Sequence, residues 1–419
     1  MGAKKKITVL GAGIVGVCSA LRLQRDEGHE VTLIDRDEPG LGSSFGNAGA
    51  LSPANCIPMA LPGMVRQVPG WLFDSNGPLA IRRSYALRVA PWLLKWVASA
   101  KPEVVRDASK ALAALHVGTL DAYREMLSPE QFNDVIRPTG QIYLWRRRPT
   151  GPLQDLVQSL RQANGHKTEE LNAEELRQIV PELSRDITAG LLFPNNGHTR
   201  NPHRLVQTLV GNFVAAGGRL LRDNVTGIGF GPEGPNRLLT RIGELPFDTL
   251  VIAAGAYSAP FTREVGVTVP LEAERGYHLM VKDPNVTLRM TLNFGDHKMA
   301  ATSMETGLRL AGTVEFAGLE AAPDWRRSEI LLEHARRVFP GLTGSGTTVW
   351  MGMRPGIPNS VPVIGRSPRH ANVFLAFGHG HSGMSGGPGT GKLIADLVAG
   401  RAPFIDPAPY SPQRFARAA

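Results

Sequence analysis

The run Gly11-Ala12-Gly13-Ile14-Val15-Gly16 has the spacing G-x-G-x-x-G. Between a strand and a helix, each glycine in that pattern has its own task. Gly11 permits a tight turn, Gly13 lets the backbone approach a pyrophosphate, and Gly16 lets helix and strand pack closely. The helix that begins at Ile14 and Val15 presents unpaired N–H groups to phosphate. Asp35 ends the next apolar run, 19 residues beyond Gly16, and Arg36 follows it. A carboxylate there accepts hydrogen bonds from ribose hydroxyls and repels a 2′-phosphate. The alternative is a glycine turn beside a strand-capping acid.

The flanking residues supply the elements that this chemistry needs. ITVL at 7–10 reads as a buried strand, VCSALRLQRDEG as a helix, and HEVTLIDR as a second strand, which makes a βαβ opening. Residues 40–55 are rich in Gly, Ser, Asn and Pro and read as a loop. Amphipathic helices are expected over 86–99 and 104–127, with shorter ones at 152–164, 173–179 and 202–217. Gln141–Trp145 alternates like a strand, and 248–254 reads as an apolar strand running into Gly255. Residues 266–316 read as several short strands, followed by a helix over 328–338. The chain closes with a strand over 373–377, a glycine-rich loop, and a helix over 391–399.

That glycine-rich loop contains a decoy. Gly386-Gly387-Pro388-Gly389-Thr390-Gly391-Lys392 fits G-x-x-x-x-G-K. A nucleoside-triphosphate loop next needs Ser or Thr for Mg²⁺, and residue 393 is Leu.

Four further motifs lie in order along the chain. They are Ser43-Ser44-Phe45-Gly46-Asn47-Ala48-Gly49, then Thr249 to Ala256, then Met353-Arg354-Pro355, then Gly378-His379-Gly380-His381-Ser382-Gly383. Together with the first motif they resemble the D-amino-acid oxidase family of flavoenzymes, and most closely its D-amino-acid dehydrogenase branch. The resemblance covers almost the whole chain, and it implies FAD. It implies that Ser43, Ser44, Asn47, Ala48, Gly49 and Leu51 hold the pyrophosphate, ribityl chain and flavin edge. Val225 would meet adenine, Ala254 and Gly255 would close over the cofactor, and Gly380, His381, Ser382, Gly383 and Met384 would pass beside the flavin. The chain departs from the branch pattern at His381, Ser382, Met384 and Ser385. The implied fold is α/β: a discontinuous Rossmann-like FAD-binding domain (1–57, 197–265 and 345–419) with a second α+β substrate domain (58–196 and 266–344) on a mixed or antiparallel sheet.

The implied activity is oxidative deamination of a small amino acid, with hydride transfer from Cα to flavin N5. Such a site needs an anchor for the carboxylate, and arginine provides a charged, bidentate fork. Arg354 is the choice that the resemblance implies. Tyr277 and His278, in Arg275-Gly276-Tyr277-His278, are candidates for hydrogen bonding to substrate or for a structural role. His379 is a candidate for tuning protonation, and Glu315 is expected to be structural. Glycine, sarcosine or D-hydroxyproline oxidation remains open as an alternative, as does a non-catalytic FAD-binding subunit.

Composition narrows the partners. The net charge is +9, but Lys and Arg are dispersed apart from Lys4–Lys6 and Arg146–Arg148, which argues against nucleic acid. Cys18 and Cys56 are the only cysteines, so no disulfide framework or zinc cluster is expected, and a reducing compartment fits. With the first strand at about Ile7, no signal peptide is expected. A cytoplasmic location follows, with a peripheral contact on the inner membrane face left open. Residues 58–100 carry Trp71, Trp92 and Trp96 among prolines and arginines. They read either as a cap over the site or as a membrane-facing flap. The electron acceptor is a quinone or oxygen.

Overall fold

A computed structural model describes residues 4–64, 67–74 and 76–415. Residues 65, 66 and 75 of the expected 58–100 flap fall outside it.

The opening βαβ unit forms as expected. Strand Lys6–Leu10 is buried beyond Lys6, helix Ile14–Leu21 follows, and strand Glu30–Asp35 pairs in parallel with the first. They belong to a six-stranded sheet whose order is Arg219–Arg222, Glu30–Asp35, Lys6–Leu10, Thr249–Ile252, Val373–Phe377, Val363–Arg366. Only the last strand is antiparallel to its neighbour. Gly11 takes φ +109°, and a β-carbon there would sit 2.5 Å from the Ala253 carbonyl oxygen. A β-carbon on Gly16 would overlap the Gly11 carbonyl. Both positions therefore exclude side chains.

The second large sheet has nine strands. Its main path runs Gly346–Gly356, Glu272–Lys282, Gly307–Phe316, Met299–Met304, Thr291–Phe294, Gln141–Trp145, Ala189–Phe193, Glu169–Asn172, and Leu79–Ile81 pairs with Gly307–Phe316. It mixes parallel and antiparallel pairs. Strand Gly346–Gly356, placed by sequence on the nucleotide side, lies at the edge of this sheet. Helices Pro102–His116, Thr119–Met126 and Pro129–Val135 fall within 58–196, the span expected to form the cap. Their apolar faces instead join the core of the six-stranded sheet, through Leu115, Leu120, Tyr123 and Phe132. The single helix expected over 104–127 is broken at Val117-Gly118.

The final helix is Gly383–Ala399, not 391–399. Its glycines read as a loop, yet here they let two helices approach closely. A β-carbon on Gly391 would lie 2.7 Å from the Cys18 carbonyl carbon, and one on Gly389 would lie 2.6 Å from the Leu115 oxygen. The apparent phosphate loop is thus the interior of a packed helix. Among the described residues no helix is long and apolar enough to cross a membrane, and no group of three metal-ligating side chains occurs.

Candidate active site

One cavity of about 1150 Å³ runs between the two large sheets. Gly11, Gly13, Ile14, Val15, Asp35 and Arg36 line it where the βαβ unit opens. Asp35 Oδ2 accepts the Ala12 N–H at 2.7 Å, and Oδ1 accepts that of Asp37 at 3.0 Å. Each oxygen keeps a lone pair for a ligand. Arg36 lies over the Tyr257 ring at 4.1 Å, and Val225 and Asn224 line the same region.

Ser43, Ser44, Asn47 and Ala48 line the middle. Ser44 Oγ accepts the Ile14 N–H at 3.0 Å, and Ser43 Oγ donates to the Met353 carbonyl. The loop is held from below by Arg309, which donates to the carbonyls of Phe45 and Asn47 at 2.8 and 2.7 Å. Burial pulls Arg309 down to about 10. Sequence reasoning missed this residue, because one arginine in an alternating strand carries no signal of its own. A β-carbon on Gly46 would overlap Trp350, and Gly49 takes φ +80°. Leu51 does not reach the cavity. Its side chain is fully buried in the core, so its role is packing.

Ala254, Gly255 and the turn Gly380, His381, Ser382, Gly383, Met384 complete the wall. The N-caps of the two helices, Gly13 and Ser382, make no side-chain cap hydrogen bond. Ser44 takes the Ile14 N–H, and the next N–H groups of that helix, with those of the first turn after Ser382, are left for an anionic or carbonyl ligand in one cavity. An extended dinucleotide fits this arrangement. In it the pyrophosphate would lie at Gly13–Val15, the ribose at Asp35, and the flavin carbonyl edge at Gly383–Met384.

His379 lines the cavity beside that turn. Thr390 Oγ1 donates to the Gly386 carbonyl at 2.8 Å, so it accepts from His379 Nε2 at 2.7 Å. His379 Nδ1 is then a bare acceptor, buried without a partner. Burial holds this imidazole neutral, at about 3. His116, missed from sequence, packs nearby. Its Nδ1 meets the Asn55 carbonyl at 2.8 Å, and burial lowers it to about 4.

Arg354 reaches the cavity across strand Glu272–Lys282. Its Nη1 donates to the Thr313 carbonyl at 3.0 Å and its Nη2 to that of Gly312 at 3.4 Å. Thr313 takes φ +49°, an uncommon value for a β-branched residue. It sits opposite the register shift between Arg275 and Tyr277. This bulge turns the Thr313 carbonyl towards Arg354. Burial pulls Arg354 down to about 10, and Glu274 is the carboxylate that opposes this. Glu274 is held by His381, whose Nε2 lies 3.0 Å from Oε2. Arg354 itself has no carboxylate within 4.0 Å among the described residues.

Two candidates are displaced. Tyr277 points to the other face of its strand, where its hydroxyl donates to Glu315 at 2.5 Å and accepts the Asp324 N–H at 3.0 Å. Strand alternation places Glu274 and Gly276 on the cavity side and Tyr277 away from it. His278 faces the loop above, with Nδ1 3.2 Å from the Gly46 carbonyl and its ring stacked on Trp350. Both are structural. So is Glu315, which also binds Arg82 at 2.7 Å. Arg275 is wholly buried and donates to the Gly318 and Ala321 carbonyls.

The family described as FAD dependent oxidoreductase matches residues 6–397. The chain belongs to this family. It is 40% identical over 418 residues to a D-amino-acid oxidase of Bradyrhizobium diazoefficiens, covering 98% of this chain and 99% of that one. It is 31% identical over 434 residues to a D-amino acid dehydrogenase of Rhizobium rhizogenes, covering 98% and 100%. An L-proline dehydrogenase from P. horikoshii has the same fold, with a TM-score of 0.76 at 19% identity, over 100% of this chain and 99% of that one. A glycine oxidase from Geobacillus kaustophilus superposes with a TM-score of 0.72 at 21% identity, over the whole of both chains. The cofactor of this family member is FAD.

Proposed function

We propose that the protein oxidises a D-amino acid, removing hydrogen from the Cα–N bond. The imine that results hydrolyses to a 2-oxo acid and ammonia. The observation that carries this reading is Arg354, a partly buried guanidinium without a carboxylate within ion-pair distance, in the cavity that would take the dinucleotide. Bound FAD supplies the acceptor for the hydride leaving Cα.

The chain's own residues orient the substrate. Arg354 takes its α-carboxylate through the guanidinium edge that the Gly312 and Thr313 carbonyls leave free. Those carbonyls fix the plane of the fork, so the position of Cα is set before binding. The Glu274–His381 pair forms the adjacent wall. Gly13 and Val15 would hold the pyrophosphate, and the first turn after Ser382 would stabilise negative charge at the flavin carbonyl edge. The relatives' names favour the D configuration. Anaerobic mixing with a panel of D- and L-amino acids tests this. Bleaching of the yellow protein by D-amino acids is expected, and bleaching by L-amino acids alone would overturn the chirality.

The acceptor side follows from helix Ala86–Ala98. Leu87 and Leu94 on its outer face are 90% and 72% exposed, between Arg83, Arg88 and Lys95. No Asp or Glu occurs from 75 to 102. Trp92 and Trp96 on the inner face line the cavity. Apolar and basic groups on one outer face suit an anionic membrane surface, and a membrane quinone is then the acceptor.

A further inference from the structure

One end of the cavity has no task in the reaction proposed above. Arg161, on helix Pro152–Ala163, lines it there. Its guanidinium lies over the Phe193 ring at 5.0 Å. The groups that act on it electrostatically are Tyr143, Cys56 and Arg148, none of them a carboxylate. Burial lowers its pKa. In the same cavity, Asn293, opposite Tyr143, has an Nδ2 that is buried and lacks a hydrogen-bond partner. Tyr143 also faces the cavity.

The sheet register relates this end to Arg354. Tyr143 lies opposite Asn293, Asn293 opposite Ala300, and Ala300 opposite Ala311, so the four cross the sheet in one row. All four line the cavity. The two side chains nearer Arg354, Ala300 and Ala311, are methyl groups. Just past Ala311, the carbonyls of Gly312 and Thr313 hold Arg354. Arg354 thus stands over one end of a cleared floor, and Arg161 stands over the other. Three inter-strand steps at about 4.8 Å each make the row about 14 Å long. A guanidinium–carboxylate pair takes up about 4 Å between carbons at each end. With the two guanidinium carbons about as far apart as the ends of this row, roughly 6 Å remains between the two carboxylate carbons, which is about the span of a five- or six-carbon diacid.

The charges agree. Arg161, Lys298 and Arg354 all line the cavity; Glu274 lines it too but is held by His381, and Asp296 acts on Lys298, not on Arg161. A monocarboxylate neutralises Arg354 and leaves Arg161 desolvated and unpaired, which is costly.

We propose that Arg161, with Tyr143 and Asn293, forms a second anion subsite, so that acidic amino acids with a side-chain carboxylate are the preferred substrate class. This rests on Arg354 holding the α-carboxylate. The subsite also explains the alanines, since a larger side chain at 300 or 311 would stand between the two anchors.

The test compares unreactive acids that differ by one carboxylate. Glutarate and butyrate are titrated into wild type, Arg161→Gln and Arg161→Lys, with perturbation of the flavin spectrum reporting binding. FAD content and melting temperature serve as folding controls. Wild type should bind glutarate at least about 10-fold more tightly than butyrate. Arg161→Gln should weaken glutarate on the order of 10–100-fold and butyrate by less than about 2-fold, and Arg161→Lys should lie between. Anaerobic reduction should be faster with D-glutamate than with D-norvaline in wild type only. Equal binding of the two acids by wild type overturns the subsite. Equal weakening of both acids in Arg161→Gln makes Arg161 an α-carboxylate anchor or an entry residue, and also overturns it. Failure of the amino-acid oxidation reading looks different, because no amino acid would then bleach the flavin in any variant.

Discussion

The guanidinium of Arg354 lies across the α-carbon of Gly276. A β-carbon on Gly276 would come within 2.5 Å of Arg354 Nε and closer still to Cζ and Nη2. Gly276→Ala should therefore push Arg354 off the Gly312 and Thr313 carbonyls without touching the dinucleotide loops. KM for the amino acid should rise on the order of 10-fold or more, with FAD content near normal. Kinetics beside a flavin spectrum check this. Unchanged kinetics in a folded Gly276→Ala protein would mean that the position of Arg354 is unimportant.

Arg354 itself gives a sharper comparison. A charged, bidentate contact is worth on the order of 1.5–3 kcal/mol, and misplacement of Cα by about 1 Å costs a further factor of roughly 100. Arg354→Ala should lose both. Arg354→Lys keeps the charge without the planar fork and should be impaired less. Wild type should strongly prefer an amino acid over its uncharged amide, and Arg354→Ala should lose that preference. Full activity of Arg354→Ala toward the acid would place the anchor elsewhere.

The dinucleotide end of the site was legible from sequence because its constraints are local. Gly11, Gly16 and Asp35 act through a backbone turn, a close approach and a strand end, and each lies within one βαβ unit. The substrate end was legible only at Arg354, whose motif is itself a local run. Arg161 was not legible, since it shares a helix with other polar residues, and its meaning comes from Tyr143 and Asn293 on separate strands. For Tyr277 and His278 the sequence left substrate binding and a structural role both open, and only their partners, Glu315 across the sheet and the Gly46 carbonyl of an overlying loop, favour the structural one. The helix Gly383–Ala399 was shortened for a related reason. Glycine is a poor helix former, and only the opposed backbone at Cys18 and Leu115 shows why glycine is needed there.

That helix packing predicts a stability effect separate from catalysis. Gly391→Val places a branched side chain against the Cys18 backbone, which cannot yield as a side-chain tip would. Overpacking of this kind costs on the order of 1–3 kcal/mol or more. Thermal unfolding should shift down by several degrees, and FAD should be lost more readily, since both helices start at the cofactor. A melting temperature equal to wild type would show that the two helices have slack.

Acid should destabilise the protein through its buried imidazoles. Burial lowers His278 and His379 to about 3, and His116 and His198 to about 4, from an ordinary value of 6.5. The unfolded chain takes up protons below about pH 6.5, whereas the folded chain does so only near pH 3–4. The stability contributed by the neutral imidazoles is therefore complete above pH 6.5 and declines as pH falls towards 4. Melting temperature should drop across that window. His278→Gln, which keeps a polar group near the Gly46 carbonyl, should show a shallower drop. Parallel pH profiles for variant and wild type would remove His278 from this account.

The membrane contact is tested by separating the acceptor from the chemistry. Leu87 and Leu94 project outward between Arg83, Arg88 and Lys95, so the helix can insert leucines while its cations meet lipid phosphate. Each basic residue near an anionic surface adds about 1 kcal/mol, and the attraction is screened by salt. Wild type should co-sediment with phosphatidylglycerol vesicles at low salt and be released as salt rises. It should reduce a vesicle-borne quinone faster than oxygen. The double substitution Leu87→Asp, Leu94→Asp leaves Trp92 and Trp96 on the cavity wall and should keep turnover with a soluble dye. It should lose both vesicle binding and most quinone turnover. If the double variant kept its quinone turnover, the acceptor would enter by another route. If wild type turned over faster with oxygen than with quinone, the protein would be an oxidase, and the exposed leucines would have to serve a different partner.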